Sequence, residues 1–577
     1  MRKKLALAMV VSLTLVLLGA FFSSVHAAPP VQEQSAVKVS FLMAAIVGIM
    51  YYLALSPWFA NMGFTVLYRP LVAGTLVGIV MGRPMDGMLI GAKINVLYLG
   101  WISAGGSLPG DPGLAGYLGT ALALGGGLDH EQALALAAPL GLLGGLTWAL
   151  RMSTCSIFAH IADSYAEKGD IRGVALSNYA FSQPFLFLIY AVPVALAAWL
   201  GSAAVAGALD WIGQHAGWVM SGLYVASGML SALGIALNLK FLFRGSLFPY
   251  FFIGFLITSL AGGDLNLLLF AIIGACVAFL HVLFVEGMPK PEEVPAPTAE
   301  ARERAGLLTR ADVFKSWLLW LFFSHSNYNW ERMQGTGFAH SMTPIIRKLY
   351  KTKEDISAAL TRHLVFFNTQ PDIGGVIHGI TIAMEEERAM GAEISDDAIN
   401  AVKTGLMGPM AGIGDTIQQG IVIPISLAIG MSLALQGNFF GPILFAILVA
   451  AFVWGVGWMI WYYGYQQGKA AVTNILQSGL LNRVITGAGV LGNFIMGALA
   501  VKFVKLSTPI KFSIGGTTFE LQSVLDSLLP NLLPLLLVLL VWWLLEKKKV
   551  AATTVMIVMI VVAVLGSYPI FGEFGFF

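Results

Sequence analysis

The chain has 577 residues, 57% of them hydrophobic and 11% charged, with a mean hydropathy of +0.79. Soluble domains carry about 25% charged residues, so this composition excludes an ordinary globular enzyme and requires a polytopic membrane protein. The net charge of +2 comes from basic residues gathered in loops, where they set membrane orientation and do not attract nucleic acid.

Apolar stretches of about twenty residues recur, the length of a helix crossing the hydrocarbon core, and strict period-two alternation, the mark of a membrane β-barrel, is absent. The expected fold class is therefore all-α: two helical membrane units with re-entrant hairpins broken by Gly and Pro. Cys155 and Cys276 stand in apolar helical surroundings and read as small core residues, with no disulfide framework and no metal-ligand spacing. No cofactor is expected.

Residues 1–27 join a basic start (Arg2, Lys3, Lys4) to an apolar run and the small-residue ending Val25-His26-Ala27, the pattern of a signal peptide or an uncleaved first helix. A first membrane unit follows over 37–286, with helices expected near 38–58, 66–84, 87–104, 131–150, 182–206, 217–237, 246–262 and 265–285. Between the third and fourth, Ser103 to Gly113 is too rich in Gly and Pro for a helix and too polar to lie bare in lipid, so a re-entrant hairpin is expected. Lys93 and Asn95 stand just before it. Lys93 can snorkel its ammonium to the interface, and Asn95 cannot. The charges from Arg151 to Arg172 read as a solvated loop or interfacial helix.

Residues 287–307 form a polar linker rich in Pro and Glu, after which a second unit runs from 308 to 577. Its first part, 308–404, is expected to be interfacial or cytoplasmic. Phe314, Trp317, Leu318 and Leu321 recur at helical spacing beside Arg310, Asp312 and Lys315, the pattern of a helix lying along the membrane surface. A polar stretch follows: Phe366-Phe367-Asn368-Thr369-Gln370-Pro371, then Gly374-Gly375 and Glu385-Glu386-Glu387. Ser395 is placed to cap another helix. Gly405 to Asp415 reads as a second segment broken by Gly and Pro, and membrane helices are expected over 405–572, near 417–436, 440–464, 485–505, 529–545 and 551–571. The Glu546-Lys547-Lys548-Lys549 cluster marks a cytoplasmic turn.

Bare amides and carboxylates in hydrocarbon need a partner, a wet cavity or a ligand. Asn, Gln, Thr and Asp also pair with sugar hydroxyls, which both donate and accept, so Asn95, Asp111, Asn368 and Gln370 would suit a neutral polyol. No phosphate loop or dinucleotide fingerprint is present. An ion-coupled sugar symporter is the rival reading, with Lys93, Asp111 and Asp415 as ionisable groups, and a scaffold without transport is a third.

Asn329-Trp330-Glu331-Arg332-Met333-Gln334, Phe366 to Pro371, Glu385-Glu386, Gly391-Ala392-Glu393-Ile394 and Gly405-Leu406-Met407-Gly408-Pro409 occur in one order across the second unit. That unit resembles the IID subunit of the mannose/fructose/sorbose family of the bacterial sugar phosphotransferase system. The first unit is similar to the IIC subunit through Arg69-Pro70-Leu71-Val72, Thr75 to Val80, Leu99-Gly100-Trp101 and Asp111-Pro112. The resemblance implies an elevator-type sugar permease in the bacterial inner membrane, a trimer of IIC–IID pairs, and cytoplasmic IIA and IIB partners. The phospho-histidine is then on IIB, with no catalytic residue in this chain. It also implies that Lys93, Asn95, Asp111, Asn368, Thr369 and Gln370 bind the sugar, with Glu331, Glu385, Glu386 and Asp415 around them. The chain departs from the mannose-type pattern, in which an acidic residue is expected at position 95 and a small hydroxyl residue at 93. It also joins in one polypeptide two units that are usually separate.

Overall fold

The structure, a computed structural model, describes residues 36–100, 110–242, 245–261, 267–286, 307–468, 480–514 and 517–568. The signal-like segment, the linker through residue 306 and residues 103–109 of the expected hairpin lie outside the described residues.

In the first unit, α1 (Phe41–Leu55) leads through a π turn (Gly63–Leu67) to α2 (Pro70–Val80), α3 (Pro84–Leu97) and α4 (Pro112–Gly126). Proline opens α2, α3 and α4 at a position where its missing N–H costs nothing and its fixed φ already suits the helix. An Asp129–Gln132 capping box then starts α5 (His130–Ala166). The unit continues with α6 (Ile171–Tyr179), α7 (Gln183–His215), α8 (Gly217–Leu242), α9 (Pro249–Leu260) and α10 (Leu267–Glu286). Helices α2 and α3 cross almost backbone to backbone: a methyl group on Gly87 would stand 2.4 Å from the Gly74 carbonyl oxygen. Without water to drive apolar association, such small-residue contacts are how membrane helices gain dispersion energy.

The second unit opens with α11 (Arg310–Phe323), α12 (Gly335–Leu349), α13 (Lys353–His363) and α14 (Gly375–Ala389). Next, α15 (Asp396–Ile417) runs through a π turn (Gln418–Val422) into α16 (Ile423–Ala434). A second long rod follows as α17 (Phe440–Ala450), a π segment (Ala451–Val456) and α18 (Gly457–Gln467). The chain ends in α19 (Leu480–Phe503), the antiparallel hairpin β1 (Lys511–Ile514) and β2 (Thr517–Glu520), then α20 (Leu521–Leu528), α21 (Leu532–Glu546) and α22 (Ala552–Gly566). Helix α8 packs against α21 and α22, and α9 and α10 pack on α19, so the two units share one helical body.

Among the described residues four helices are long and apolar enough to cross a membrane: 130–166, 171–202, 396–434 and 440–467. The bent pair α20–α21, 78° apart, makes a fifth when counted as one span.

Several expectations change. The run after Asp111, to which no helix is assigned from sequence, is the helix α4, in which Gly113, Gly116 and Gly119 serve as packing surfaces against Tyr68, Pro70 and Ala137. The stretch 405–415 is unbroken helix. Pro409 lies inside this helix and leaves the Gly405 carbonyl without its backbone donor, and Gly405, Gly408 and Gly412 face open space. Of the two readings for Arg151 to Arg172, the helical one holds through Ala166 in α5, and His160, Glu167, Lys168, Asp170 and Arg172 are exposed, but Arg151 is buried and does not belong to that wet face. Helix α11 buries Val313, Trp317, Trp320 and Leu321 against α12 and α18, so its apolar face is satisfied by protein. Cys155 is buried, but Cys276 is exposed on the outer face of α10. The β-hairpin adds a strand pair to a fold expected to be purely helical.

Candidate functional site

The polar stretch 366–371 leaves α13 as extended chain and pairs with the turn before α12. The Gln334 N–H donates to the Phe367 carbonyl (2.8 Å), and the Phe367 N–H donates to the Arg332 carbonyl (3.2 Å). The Gln334 side chain then clamps Thr369, donating to its carbonyl and accepting from its N–H, both at 2.9 Å. Gln370 turns the chain into α14. Its Oε1 accepts from the N–H groups of Asp372 (3.0 Å) and Ile373 (2.6 Å), and its Nε2 donates to Gln418 (2.7 Å) and Asp372 (3.0 Å). The Trp320 indole fastens the Pro371 carbonyl at 2.9 Å.

Facing this stretch, the π turn at 418–422 precedes Pro424, which has no N–H to offer the Gly420 carbonyl, and the widened turn points Gln418 and Gln419 inward. The first unit completes the enclosure with its own π turn, the start of α2 and the middle of α5. Together they bound a cavity that is partly open to solvent. Asn368, Thr369, Gln370, Gln334, Tyr328 and Asp415 line it from the second unit, and Asn61, Thr65, Arg69, Trp148 and Arg151 from the first.

Four buried polar atoms on these lining residues have no hydrogen-bond partner: Arg69 Nε, Arg151 Nε, Ser326 Oγ and Thr369 Oγ1. Arg151 donates to the His325 carbonyl (2.5 Å) and the Leu55 carbonyl (3.4 Å), with its guanidinium 5.3 Å from the Trp148 ring. Burial, and then the charge of Arg151, push His325 down to about 3, so this imidazole is neutral. The Tyr328 hydroxyl donates to Asn368 Oδ1 at 2.9 Å, which turns the Asn368 amide within the cavity.

The other residues singled out from sequence lie elsewhere. Lys93 pairs with Glu131 and is half-buried beside α5. Asn95 is buried in the α2–α3 crossing, where it accepts from the Leu71 N–H (3.2 Å). Asp111 caps α4 by accepting from the Leu114 N–H (2.6 Å) and takes the Tyr51 hydroxyl. None of the three lines this cavity; the first unit contributes Arg69 and Arg151 there instead. Glu331 is on the surface, 2.9 Å from His160. Glu386 takes the Leu308 N–H (2.7 Å) and the Tyr465 hydroxyl (2.7 Å). Glu385 sits in a buried cluster, 2.8 Å from Arg362 and 2.9 Å from His363. Burial alone would raise its carboxyl, but the hydrogen bond to His363 and the charge and hydrogen bonds of Arg362 outweigh that and hold it well below the usual range.

Sequence reasoning missed Arg69, Arg151, Tyr328, Gln334, Gln418 and Gln419. Arg69 stood inside a quoted motif, and an arginine in an apolar run is itself a signal of a functional site.

Residues 307–571 match the family described as EIID-AGA, the PTS system mannose/fructose/sorbose family IID component, and residues 41–280 match EII-Sor, the PTS system sorbose-specific IIC component. The sorbose-specific EIID component of Lacticaseibacillus casei is 42% identical over 40% of this chain and 82% of its own length. The mannose-specific EIIC component of Escherichia coli K12 is 31% identical over 41% of this chain and 85% of its own. A solved structure described as a membrane protein shares 40% identity over 45% of this chain and 96% of its own, with a TM-score of 0.42. The chain therefore belongs to the mannose/fructose/sorbose family of the phosphotransferase system and carries both its IIC and IID components in one polypeptide.

Proposed function

We propose that the cavity between the two units is the sugar site of this permease, a multi-pass protein of the bacterial inner membrane. The observation that carries this reading is the convergence of amides, hydroxyls and unpartnered buried donors from both units on one cavity. Buried polar groups without partners are costly, and a ligand rich in hydroxyls satisfies them. Asn368, Thr369 and Asp415 would meet the sugar directly. Gln370 and Gln334, whose amides are committed to backbone and to neighbouring side chains, are positioning residues.

The substrate class follows the relatives, whose names are sorbose-, mannose- and fructose-specific. A separate cytoplasmic IIB protein would supply the phosphoryl group. Its phospho-histidine N–P bond breaks, the sugar oxygen gains the phosphorus, and the hydroxyl proton is released. Such transfer depends mainly on positioning, which is this chain's share of the work. An elevator-like displacement of the sugar-bearing part and assembly as a trimer complete the proposal.

The test is uptake of labelled sugars into vesicles holding the full chain, with and without IIA, IIB, the general phosphocarriers and phosphoenolpyruvate. Sugar phosphate appearing inside only with the complete relay is expected. Free sugar accumulating without the relay, and collapsing on adding an uncoupler, would refute the assignment.

A further inference from the structure

Arg69 and Arg151 are 5% and 3% exposed, yet no carboxylate among the described residues forms an ion pair with either. Two other well-buried arginines among the described residues are matched. Arg362 has Glu385 and Asp396, and Arg332 has Asp163. Arg69 makes no side-chain hydrogen bond among the described residues, and the polar groups that Arg151 meets, two carbonyls and the Tyr190 hydroxyl, are neutral. Both line the same cavity. A guanidinium cannot discharge its cost of burial by losing its proton, so an unmatched pair persists where an anion arrives.

The charge balance of the cavity agrees. Its ionisable lining residues are Arg69, Arg151, His325 and Asp415; with His325 neutral, two positive charges less one negative leave +1. One singly charged oxyanion neutralises the site. A purely neutral hexose would leave it charged in a low-dielectric surrounding.

We infer that Arg69 and Arg151 form a subsite for an oxyanion borne by the sugar itself, either a carboxylate on the incoming substrate or the phosphate on the departing product. The inference rests on reading this cavity as the sugar site. The planar guanidinium fork suits both groups, since each presents two coplanar oxygens to paired N–H donors. Both arginines are buried between the units beside the amides and hydroxyls assigned to the sugar, which places the anion on the sugar itself.

The experiment is equilibrium binding to the purified full chain in detergent, followed by tryptophan fluorescence, since Trp148 lines the cavity. The probes are matched sets in the gluco, galacto and manno series: the hexose, its uronate and its 6-phosphate. In at least one series an anionic member should bind at least about tenfold more tightly than the neutral hexose, as expected for charge-assisted hydrogen bonds. That preference should fall towards one in Arg69→Gln and Arg151→Gln, and should weaken with salt less steeply than binding at an exposed patch.

A uronate that leads its series identifies the oxyanion as a substrate carboxylate, and a 6-phosphate that leads identifies it as product phosphate. Hexoses that bind as tightly as both anions in every series overturn the inference and leave the permease reading standing. If nothing in any series binds and the relay drives no uptake, the permease reading itself has failed. Should both variants misfold, the selectivity of the unaltered chain still decides the matter. A conservative Arg69→Lys keeps the charge and should retain part of the preference.

Discussion

Gln370 and Asn368 are two residues apart, and the structure gives them different work. Gln370 uses both ends of its amide, on the Asp372 and Ile373 N–H groups and on Gln418. Truncation to Ala leaves several buried groups unpaired and should cost about 1–3 kcal/mol of stability, read as a lower midpoint of thermal unfolding in detergent. Asn368 is only half-buried and its amide faces the cavity. Asn368→Ala should therefore leave the midpoint nearly unchanged and weaken sugar binding by about 1 kcal/mol, roughly fivefold in Kd. If the two variants behave alike in both assays, the division of labour is wrong.

At the scale of elements, close approach decides where a side chain is allowed. Helices α9 and α19, one from each unit, touch at Gly497, where an added methyl would lie 2.1 Å from the Phe251 carbonyl oxygen. Gly412, in the middle of α15, meets nothing within 4 Å. Gly497→Ala should push the units apart and destabilise by about 1–3 kcal/mol, as overpacking does. Gly412→Ala should stabilise by up to about 1 kcal/mol, because it only removes the backbone freedom of an unfolded glycine. Unfolding midpoints of the two variants, measured side by side, test the contrast.

The whole molecule carries a pH dependence of definite sign. His325 and His340 are pushed down to about 3 and His363 to about 4, in each case chiefly by burial. Their folded values lie below that of a free imidazole, about 6.5, so as pH falls from there the unfolded chain takes up protons the folded chain refuses. Stability present above that value is lost progressively down to the folded values of about 3 to 4, by about 2 kcal/mol per imidazole at pH 5. Asp372 opposes this. Burial raises it to about 7, so the folded chain gains a proton early and is favoured between there and the ordinary carboxylate range. Three histidines outweigh one aspartate, and the unfolding midpoint should be lower at pH 5 than at pH 7.5. A midpoint that stays level or rises would contradict the balance.

Hydropathy and charge by themselves determined the class of this protein, its two-unit order and most of its helices, because a bilayer accepts few backbone solutions and marks each with a long apolar run. They also marked the stretch from Phe366 to Pro371, where amides interrupt apolar sequence. They misjudged glycine across 405–415, where residues that break helices in water face open space, whereas those of α4 serve as packing surfaces, and the chain alone does not say which. Convergence was decided only by the tertiary structure. Lys93 and Asp111 drew notice as charges in apolar sequence, but Lys93 pairs with Glu131 and Asp111 caps a helix. Arg151, in a run of charges that looked solvated, is buried at the cavity. Whether a charge is matched depends on what other helices bring to it across the fold, and spacing along one helix carries no record of that.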